Sequence, residues 1–193
     1  MPRVYFVTHP EVAVDPAVAV PDWPLSERGR QRATVLLTRR WIRQVGAVFS
    51  STERKAAEVA AMLAGALGVA PVAFAELGEN DRAATGYLPP VEFEAMADAF
   101  FARPYESVRG WERAIDAQVR IVGAVDRALG LVRADGDVAI VSHGGVGALL
   151  LGHLKQVPIS RTEDQPGRGG GNVFCFDAAT RRLIAGWRSI EDS

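Results

Sequence analysis

The 193-residue sequence contains very few cysteines and lysines, and it has no long hydrophobic run. Cys175 is the only cysteine, which excludes an internal disulfide and a cysteine-based metal cage. No apolar run approaches the roughly 20 residues that a transmembrane helix needs. The apolar segment near the N-terminus is too short for a signal peptide, because His9, Pro10 and Glu11 interrupt it. We therefore expect a cytoplasmic protein that has no membrane partner.

Neither sign of charge dominates the sequence. It has 22 basic and 23 acidic residues, and its formal net charge is -1. This balance gives no reason to expect nucleic acid as a partner. Lys55 and Lys155 are the only lysines, so nearly all the basic residues are arginines, which bind phosphate and carboxylate groups through a bidentate fork. The 48% hydrophobic content is sufficient for the core of a single domain over residues 1–193.

Short apolar segments alternate with helical patterns along the chain. Strands are predicted at residues 4–7, 47–49, 72–74 and 138–141, and a final pair is predicted in NVFCFD and RLIAGW. Strands separated by helices favour parallel pairing through right-handed crossovers, whereas the short turn between the last two strands favours an antiparallel hairpin. The sequence therefore predicts an α/β protein with a mixed, mostly parallel sheet.

Two helices and one irregular segment are defined by their residue patterns. Ser26 is suited to cap the first helix, whose apolar side includes Ala33, Leu36 and Val45. The longest helix is predicted from residue 111 to about residue 133, with a core face of residues spaced by three and four. Residues 78–110 are rich in glycine, proline and aromatic side chains, so we expect a lid-like insertion there. The predicted core face consists of Ile115, Val119, Val122, Val125, Leu129 and Val132.

Three strand ends carry side chains that are suited to catalysis or ligand binding. The first strand ends at His9, the second leads to Arg54 in the motif SSTER, and the fourth ends at His143 in the motif VSHGG. Ligands of open α/β sheets bind at the carboxyl ends of the strands. Two histidines and an arginine are therefore expected to converge at one edge of the sheet.

A phosphoryl group matches this set of residues. Arginine donates charge-assisted bidentate hydrogen bonds to phosphate, and the amides of Gly144 and Gly145 at a helix N-terminus add partial positive charge. One neutral imidazole can attack phosphorus to form a phosphohistidine, and the other can stabilise the equatorial oxygens. A carboxylic acid must then protonate the leaving alkoxide and later activate water.

Several motifs resemble the histidine phosphatase superfamily, which has the phosphoglycerate-mutase-like fold. They are VTHP, PLSERGRQRA, SSTERKAAEVA, AELGEND, VSHGGVGALL and GGGNVFCFD. The resemblance implies a three-layer α/β/α sandwich and phosphomonoester hydrolysis, or phosphoryl transfer, without a metal or organic cofactor. It implies that His9 is the nucleophile, Arg54 the second phosphate-binding arginine and His143 the second histidine. Glu79 fits the position of the acid best, and Glu76 is the alternative.

The first motif departs from that family, because Thr8-His9-Pro10 stands where the family has Arg-His-Gly. Each lost hydrogen bond to a charged group costs about 1.5–3 kcal/mol. Thr8 can donate only one neutral hydrogen bond to phosphate, and Pro10 has no backbone N–H. Arg82, Arg161 or Arg168 could replace the missing arginine.

Two functional hypotheses follow from this departure. The chain is either a metal-independent phosphomonoesterase acting through His9, with weakened activity, or a catalytically impaired protein that binds phosphorylated ligands. Both predict a small phosphorylated molecule as partner. An interaction module that uses residues 78–110 is a third possibility. Cys175 and Arg181 have the C-x₅-R spacing of cysteine phosphatases, whose chemistry needs a glycine-rich phosphate loop between a strand and a helix. Strand-like sequence follows here instead, so the spacing is attributed to chance.

Overall fold

A six-stranded mixed sheet forms the centre of the computed structural model, which describes residues 2–133 and 135–193. The strand order is β3-β2-β4-β1-β5-β6, and β5 runs antiparallel to both of its neighbours while β1 to β4 are parallel. The predicted mixed α/β sheet is therefore confirmed. The strands are β1 (Arg3–Thr8), β2 (Val45–Ser51), β3 (Val72–Phe74), β4 (Asp137–Ser142), β5 (Asn172–Asp177) and β6 (Leu183–Ser189).

Helices cover both faces of the sheet and give the predicted three layers. The first two helices pack on one face around a core that includes Leu36, Val59 and Val141. The other three pack on the opposite face around a core that includes Phe6, Ile121 and Leu149. The helices are α1 (Glu27–Leu36), α2 (Arg54–Leu67), α3 (Pro90–Ala102), α4 (Ala114–Leu131) and α5 (Gly144–Lys155).

The ends of α1 and α2 follow from local sequence chemistry. Ser26 Oγ accepts a hydrogen bond from the Gly29 N–H at 3.0 Å, which confirms the predicted N-cap of α1. Gly68 ends α2 in the left-handed conformation with φ of 68°, which glycine adopts without steric cost. These two caps fix the lengths of the helices that flank β2.

Two predicted features of the helices are wrong. Val119 was expected in the core but is 68% exposed, and Val45 belongs to β2 rather than to the first helix. The core face of α4 consists mainly of small residues, which let the helix approach α5 closely. Along α4, the alanines and the larger apolar residues both recur at helical spacing. The sequence pattern therefore favoured the larger residues as the core face. The buried residues of α4 are Ala114, Ala117, Ile121, Ala124, Val125 and Ala128.

The segment expected to be a lid-like insertion contributes directly to the core. Met96, Phe100 and Phe101 of α3 are buried in the same cluster as α4 and α5. Arg161 also ties α3 to the glycine-rich loop before β5, since it pairs with Glu94 at 2.9 Å. Among the residues that the structure describes, no helix combines the length and the apolar character needed to cross a lipid bilayer.

Arg32 of α1 holds together three segments behind the end of β1. It pairs with Glu11 at 2.9 Å and with Glu191, and it donates hydrogen bonds to the carbonyls of Gly170 and Gly171. The Gly171 N–H in turn donates to the His9 carbonyl at 3.0 Å. This network fixes the glycine-rich loop against the end of β1.

The close approach of α1 to the loop after β1 makes a specific prediction about Gly29. A Cβ at this position would lie 2.1 Å from the Glu11 carbonyl oxygen, so backbone would have to move. We expect Gly29→Ala to lower the free energy of unfolding by about 1–2 kcal/mol, measured by urea denaturation.

Gly65→Ala provides the matched control, because Gly65 is also helical and a Cβ there would meet no atom within 4 Å. This variant should be stabilised by about 0.5–1 kcal/mol through its helix propensity. Equal effects of the two substitutions would contradict the packing described for α1.

Candidate active site

His9 and His143 lie side by side at the carboxyl ends of β1 and β4. The parallel register pairs Thr8 with Ser142, and the His9 N–H donates to the Ser142 carbonyl at 3.2 Å. The two imidazole rings have centroids 5.1 Å apart and planes inclined by 68°. The structure thus brings together the two predicted histidines, which are 134 positions apart in the sequence.

The backbone beside His9 selects one tautomer of its imidazole. Nδ1 lies 2.8 Å from the Pro10 carbonyl oxygen, and because a carbonyl can only accept, Nδ1 must carry the proton. Nε2 then has a free lone pair. Burial, followed by the neighbouring His143, lowers the pKa of His9 to about 3. His9 is consequently a neutral imidazole over most of the pH range.

His143 is almost entirely buried yet has no hydrogen-bond partner. It is 1% exposed, and neither ring nitrogen is hydrogen-bonded within the described part of the chain. Burial lowers its pKa, although the carboxylates of Glu53 and Glu79 oppose the change. Nε2 lies 3.4 Å from Glu53 Oε1. His143 therefore has hydrogen-bonding capacity that the described residues do not use.

Glu79 lies at the N-terminus of α5 beside the two histidines. Its carboxylate accepts the N–H groups of Gly145 and Val146, each at 3.0 Å. Burial raises the pKa of Glu79, but Arg82, His143 and the amide of Gly145 together lower it below its ordinary value. A Cβ on Gly145 would lie 2.7 Å from Glu79 Oε1, so the glycine allows this approach. Glu79 is therefore a carboxylate in the unliganded site.

Arg120 fixes the turn that carries Glu79. It donates hydrogen bonds to the carbonyls of Glu76, Gly78 and Glu79, and it pairs with Glu112 at 2.8 Å. The side chain of Glu76, the alternative acid, points elsewhere and pairs with Arg127 on an exposed surface. Of the two candidate acids, the structure brings Glu79 to the histidines.

Lys55 and Glu53 form a buried ion pair next to His143. Lys55 Nζ also donates to the Val20 carbonyl at 2.8 Å, and its side chain is 4% exposed. Desolvation raises the pKa of Glu53, but His143, Lys55 and the Glu79 N–H outweigh it and lower the value to about 2. The charge of Lys55 is thus neutralised within the protein.

The structure does not bring Arg54 to the histidines. Its side chain is 57% exposed and pairs with Glu58 one turn along α2 at 3.0 Å. Lys55, the next residue, is the basic side chain of α2 that lies in the site. Successive residues of an α-helix differ by about 100° in direction, so the two side chains occupy different surfaces.

The hydroxyl of Thr8 belongs to a hydrogen-bond network with Gln165 and Asn172. Its Oγ donates to Gln165 Oε1 at 2.7 Å and accepts from the Asn172 N–H at 2.9 Å. Gln165 Oε1 also accepts from Asn172 Nδ2 at 3.1 Å. The amide nitrogen of Gln165 lies against Gly144, since a Cβ there would be 2.1 Å from Nε2. Thr8 therefore positions Gln165 at the start of α5.

The charge of Arg82 helps to lower the pKa of the Glu79 carboxyl. Its guanidinium lies over the rings of Phe93 and Trp111, 5.1 Å and 5.6 Å from their centroids. It lines a cavity of about 620 Å³ that also includes Glu53 and Glu79. Arg82 therefore shares this cavity with Glu79, whereas neither His9 nor His143 lines it.

The other two candidate arginines have different surroundings. Arg161 is paired with Glu94, Asp98 and Asp164, so its charge is already neutralised. Arg168 is exposed in the glycine-rich loop. Within residues 2–133 and 135–193, no group of three or more histidine, cysteine, aspartate or glutamate side chains is arranged to hold a metal ion.

Three residues of the site were not singled out from the sequence: Glu53, Lys55 and Gln165. Lys55 had a signal, because it is one of only two lysines and follows Arg54 directly. Glu53 and Gln165 had none, since a charged residue before a helix and an amide in a loop are common surface features.

Comparison with known proteins assigns the chain to a family. The sequence profile of the histidine phosphatase superfamily (branch 1) matches residues 4–182, so the chain belongs to this superfamily. A search of curated protein sequences gave no match.

Several solved structures share the fold. Mycobacterial glucosyl-3-phosphoglycerate phosphatase, in complex with inorganic phosphate, has 22% identity and a TM-score of 0.76 over 100% of both chains. YhfR from Bacillus stearothermophilus has 23% identity and a TM-score of 0.76, over 96% of this chain and 95% of that one. Mycobacterial hydrolase 2 has 21% identity and a TM-score of 0.74, over 97% and 88%. These similarities confirm the phosphoglycerate-mutase-like fold.

The carboxylate of Glu53 beside His143 should oppose the binding of an anion. We expect Glu53→Gln to tighten the binding of inorganic phosphate about tenfold, since it removes one like charge and releases Lys55 from its ion pair. Isothermal titration calorimetry at pH 7 would measure the dissociation constant.

Glu58→Gln is the control, because Glu58 is another carboxylate of the same segment but pairs with Arg30 and Arg54. It should leave phosphate binding unchanged. Weaker binding in Glu53→Gln than in the original protein would show that Glu53 supports the anion site rather than opposing it.

Proposed function

We propose that this protein is a metal-independent phosphomonoesterase that hydrolyses a small phosphorylated molecule through a phosphohistidine on His9. The observation that carries the proposal is the His9–His143 pair, in which one imidazole has a free Nε2 and the other has no hydrogen-bond partner among the described residues. The free cysteine favours a reducing compartment, so the proposal includes a cytoplasmic location.

The first step is attack of His9 on phosphorus. The Pro10 carbonyl holds Nδ1–H, so the lone pair of Nε2 faces away from the backbone and is available to the phosphoryl group. The low pKa of His9 keeps this lone pair unprotonated at neutral pH. The N–P bond forms as the P–O bond to the leaving alcohol breaks.

His143 and its neighbours bind the phosphoryl oxygens in this proposal. The buried ring of His143 can donate one hydrogen bond to an equatorial oxygen, and Gln165 Nε2 can donate another from its place against Gly144. Lys55 contributes positive charge that Glu53 reduces. Arg54 contributes only at long range, because it pairs with Glu58.

Glu79 serves as the acid and then as the base. It is ionised in the free site, but a phosphate dianion nearby would raise its pKa by like-charge repulsion. The protonated carboxyl can then donate its proton to the departing alkoxide. The resulting carboxylate can accept a proton from the water that hydrolyses the phosphohistidine.

Turnover should be slow in comparison with an enzyme that has two arginines in the site. Gln165 is a neutral donor, and the lysine charge is paired, so at least one charge-assisted hydrogen bond to phosphate is missing. Such a bond contributes about 1.5–3 kcal/mol, which corresponds to about 10–100-fold in rate if it is lost in the transition state.

A second candidate function is the binding of a phosphorylated ligand with little turnover. Two carboxylates favour low turnover, because they engage groups that could otherwise stabilise the transition state. Glu79 accepts the N–H groups of Gly145 and Val146, and Glu53 neutralises Lys55. A binding protein would retain phosphate affinity but would form no phosphohistidine.

Substitution of the nucleophile tests the proposal. We expect His9→Ala to reduce the hydrolysis of p-nitrophenyl phosphate at least 1,000-fold, because it removes the imidazole that is proposed to form the covalent intermediate. Acid-quenched protein treated with ³²P-labelled substrate should carry an acid-labile label that His9→Ala lacks.

His153→Ala is the matched control, since this exposed histidine of α5 lies outside the site. It should keep both the activity and the label. If the original protein binds phosphate but shows neither turnover nor label, the second candidate function is correct instead.

The ionised state of Glu79 predicts an acidic pH profile. Because the pKa of Glu79 is lowered below its ordinary value of 4.5, the protonated carboxyl is already a minor species at pH 4.5, whereas His9 stays neutral above about pH 3. We expect kcat/KM to fall as the pH rises above 4.5. The slope should vanish in Glu79→Gln, together with most of the activity.

Because bound phosphate raises the pKa of Glu79, kcat should remain high to a higher pH than kcat/KM does. Steady-state kinetics between pH 3.5 and 8 would measure both. A kcat/KM that rises through neutral pH would contradict the role given to Glu79.

A further inference from the structure

A second cavity lies far from the two histidines. It is a groove of about 670 Å³ on the face of the sheet that α1 and α2 cover elsewhere. Its floor is formed by Val173, Cys175 and Ala185, and one wall is the stacked pair of Tyr5 and Trp41, whose ring centroids are 4.0 Å apart. The volume lies within the range of small-molecule sites, about 300–1,000 Å³.

Arginines surround this apolar floor. Arg3, Arg39, Arg40 and Arg188 line the groove, and none of its lining residues is an aspartate or glutamate. In the described part of the chain, none of the four arginines has a side-chain carboxylate within 4.0 Å of its guanidinium. Arg32, Arg120 and Arg161, by contrast, each pair with a carboxylate. The groove therefore concentrates the positive charge of four guanidinium groups in a chain whose net charge is -1.

Arg39 adds an independent observation. Its Nε is buried and has no hydrogen-bond partner in residues 2–133 and 135–193, while Nη1 donates to the Glu191 carbonyl at 2.6 Å and Nη2 to Thr38 Oγ at 3.2 Å. The guanidinium is thus held in place by main-chain and hydroxyl acceptors and keeps its full charge. A fixed guanidinium is pre-organised for an anion.

The groove is separate from the candidate active site. Tyr5 lies four residues before His9 along β1, which corresponds to about 13 Å at 3.3 Å per residue, and Arg3 lies about 20 Å away. The histidines project from the carboxyl end of β1, whereas Arg3 begins the strand. One small ligand cannot occupy both places.

We propose that this groove, formed by β1, β5, β6 and the segment at residues 38–41, binds a nucleotide-like ligand that combines an aromatic ring with a phosphate or pyrophosphate group. The arginines match the anion through charge-assisted hydrogen bonds. The apolar floor and the aromatic wall match a planar ring. A purely apolar ligand would leave the arginines unpaired, and a purely inorganic anion would leave the floor uncovered.

ADP is the probe that tests this proposal. Isothermal titration calorimetry with the full chain, in the presence of saturating orthovanadate to occupy the phosphoryl site, should show one binding event. The double variant Arg40→Gln/Arg188→Gln should weaken that binding at least tenfold. Both side chains are exposed, so the substitutions should not disturb folding.

Arg182→Gln is the matched control, because Arg182 is an exposed arginine of the same hairpin outside the groove. It should bind ADP as the original protein does. Adenosine and pyrophosphate, tested separately, should each bind at least tenfold more weakly than ADP.

Cys175 provides a local readout, since the only cysteine lies in the groove floor. Burial raises the pKa of its thiol to about 11, so iodoacetamide should react slowly, and ADP should slow the reaction further. No ADP binding, equal binding in the double variant, or unchanged alkylation of Cys175 would overturn the proposal. Pyrophosphate binding as tight as that of ADP would overturn the role of the aromatic ring.

Discussion

The parallel pairing of β1 with β4 is the constraint on which the site depends. It places Thr8 opposite Ser142, so that the next residue of each strand is a histidine at the same edge of the sheet. The Ser142 hydroxyl donates to the Leu77 carbonyl at 2.7 Å, which also ties this edge to the segment before Glu79. The apolar cores on both faces hold the pair, because a slip of one residue would turn every side chain of β1 to the opposite face.

Around this fixed pair, the charges of the site are arranged differently from the arginine clamp that the family resemblance implies. The negative charge of Glu53 offsets Lys55, and Thr8 and Gln165 contribute only neutral hydrogen bonds. Both histidines have lowered pKa values, so they add little positive charge at neutral pH. In the proposed mechanism the pocket therefore depends on hydrogen-bond geometry more than on charge to hold the phosphoryl group, which reduces the expected stabilisation of a dianionic transition state.

Much of the fold was predictable because its signals are local. The strands at residues 72–74 and 138–141, the Ser26 cap and the Gly68 stop depend on neighbouring residues alone. The core face of α4 was not predictable in the same way, since alanines and larger apolar residues both recur at helical spacing there. Which face is buried depends on how closely α5 approaches, and this distance is a property of the packed structure.

The residues of the site divide in the same way, into those that local sequence signals place and those whose position depends on packing. His9 and His143 follow strands, so the sheet topology determines where they go. The choice between Arg54 and Lys55 depends on a rotation of about 100° at the start of α2, which a motif does not specify when both residues are basic. Burial then decides their roles: Lys55 is enclosed with Glu53 next to His143, whereas Arg54 remains in solvent with Glu58. A basic residue near a strand end can therefore be identified as a phosphate-binding residue only when the direction of its side chain from the helix axis is known.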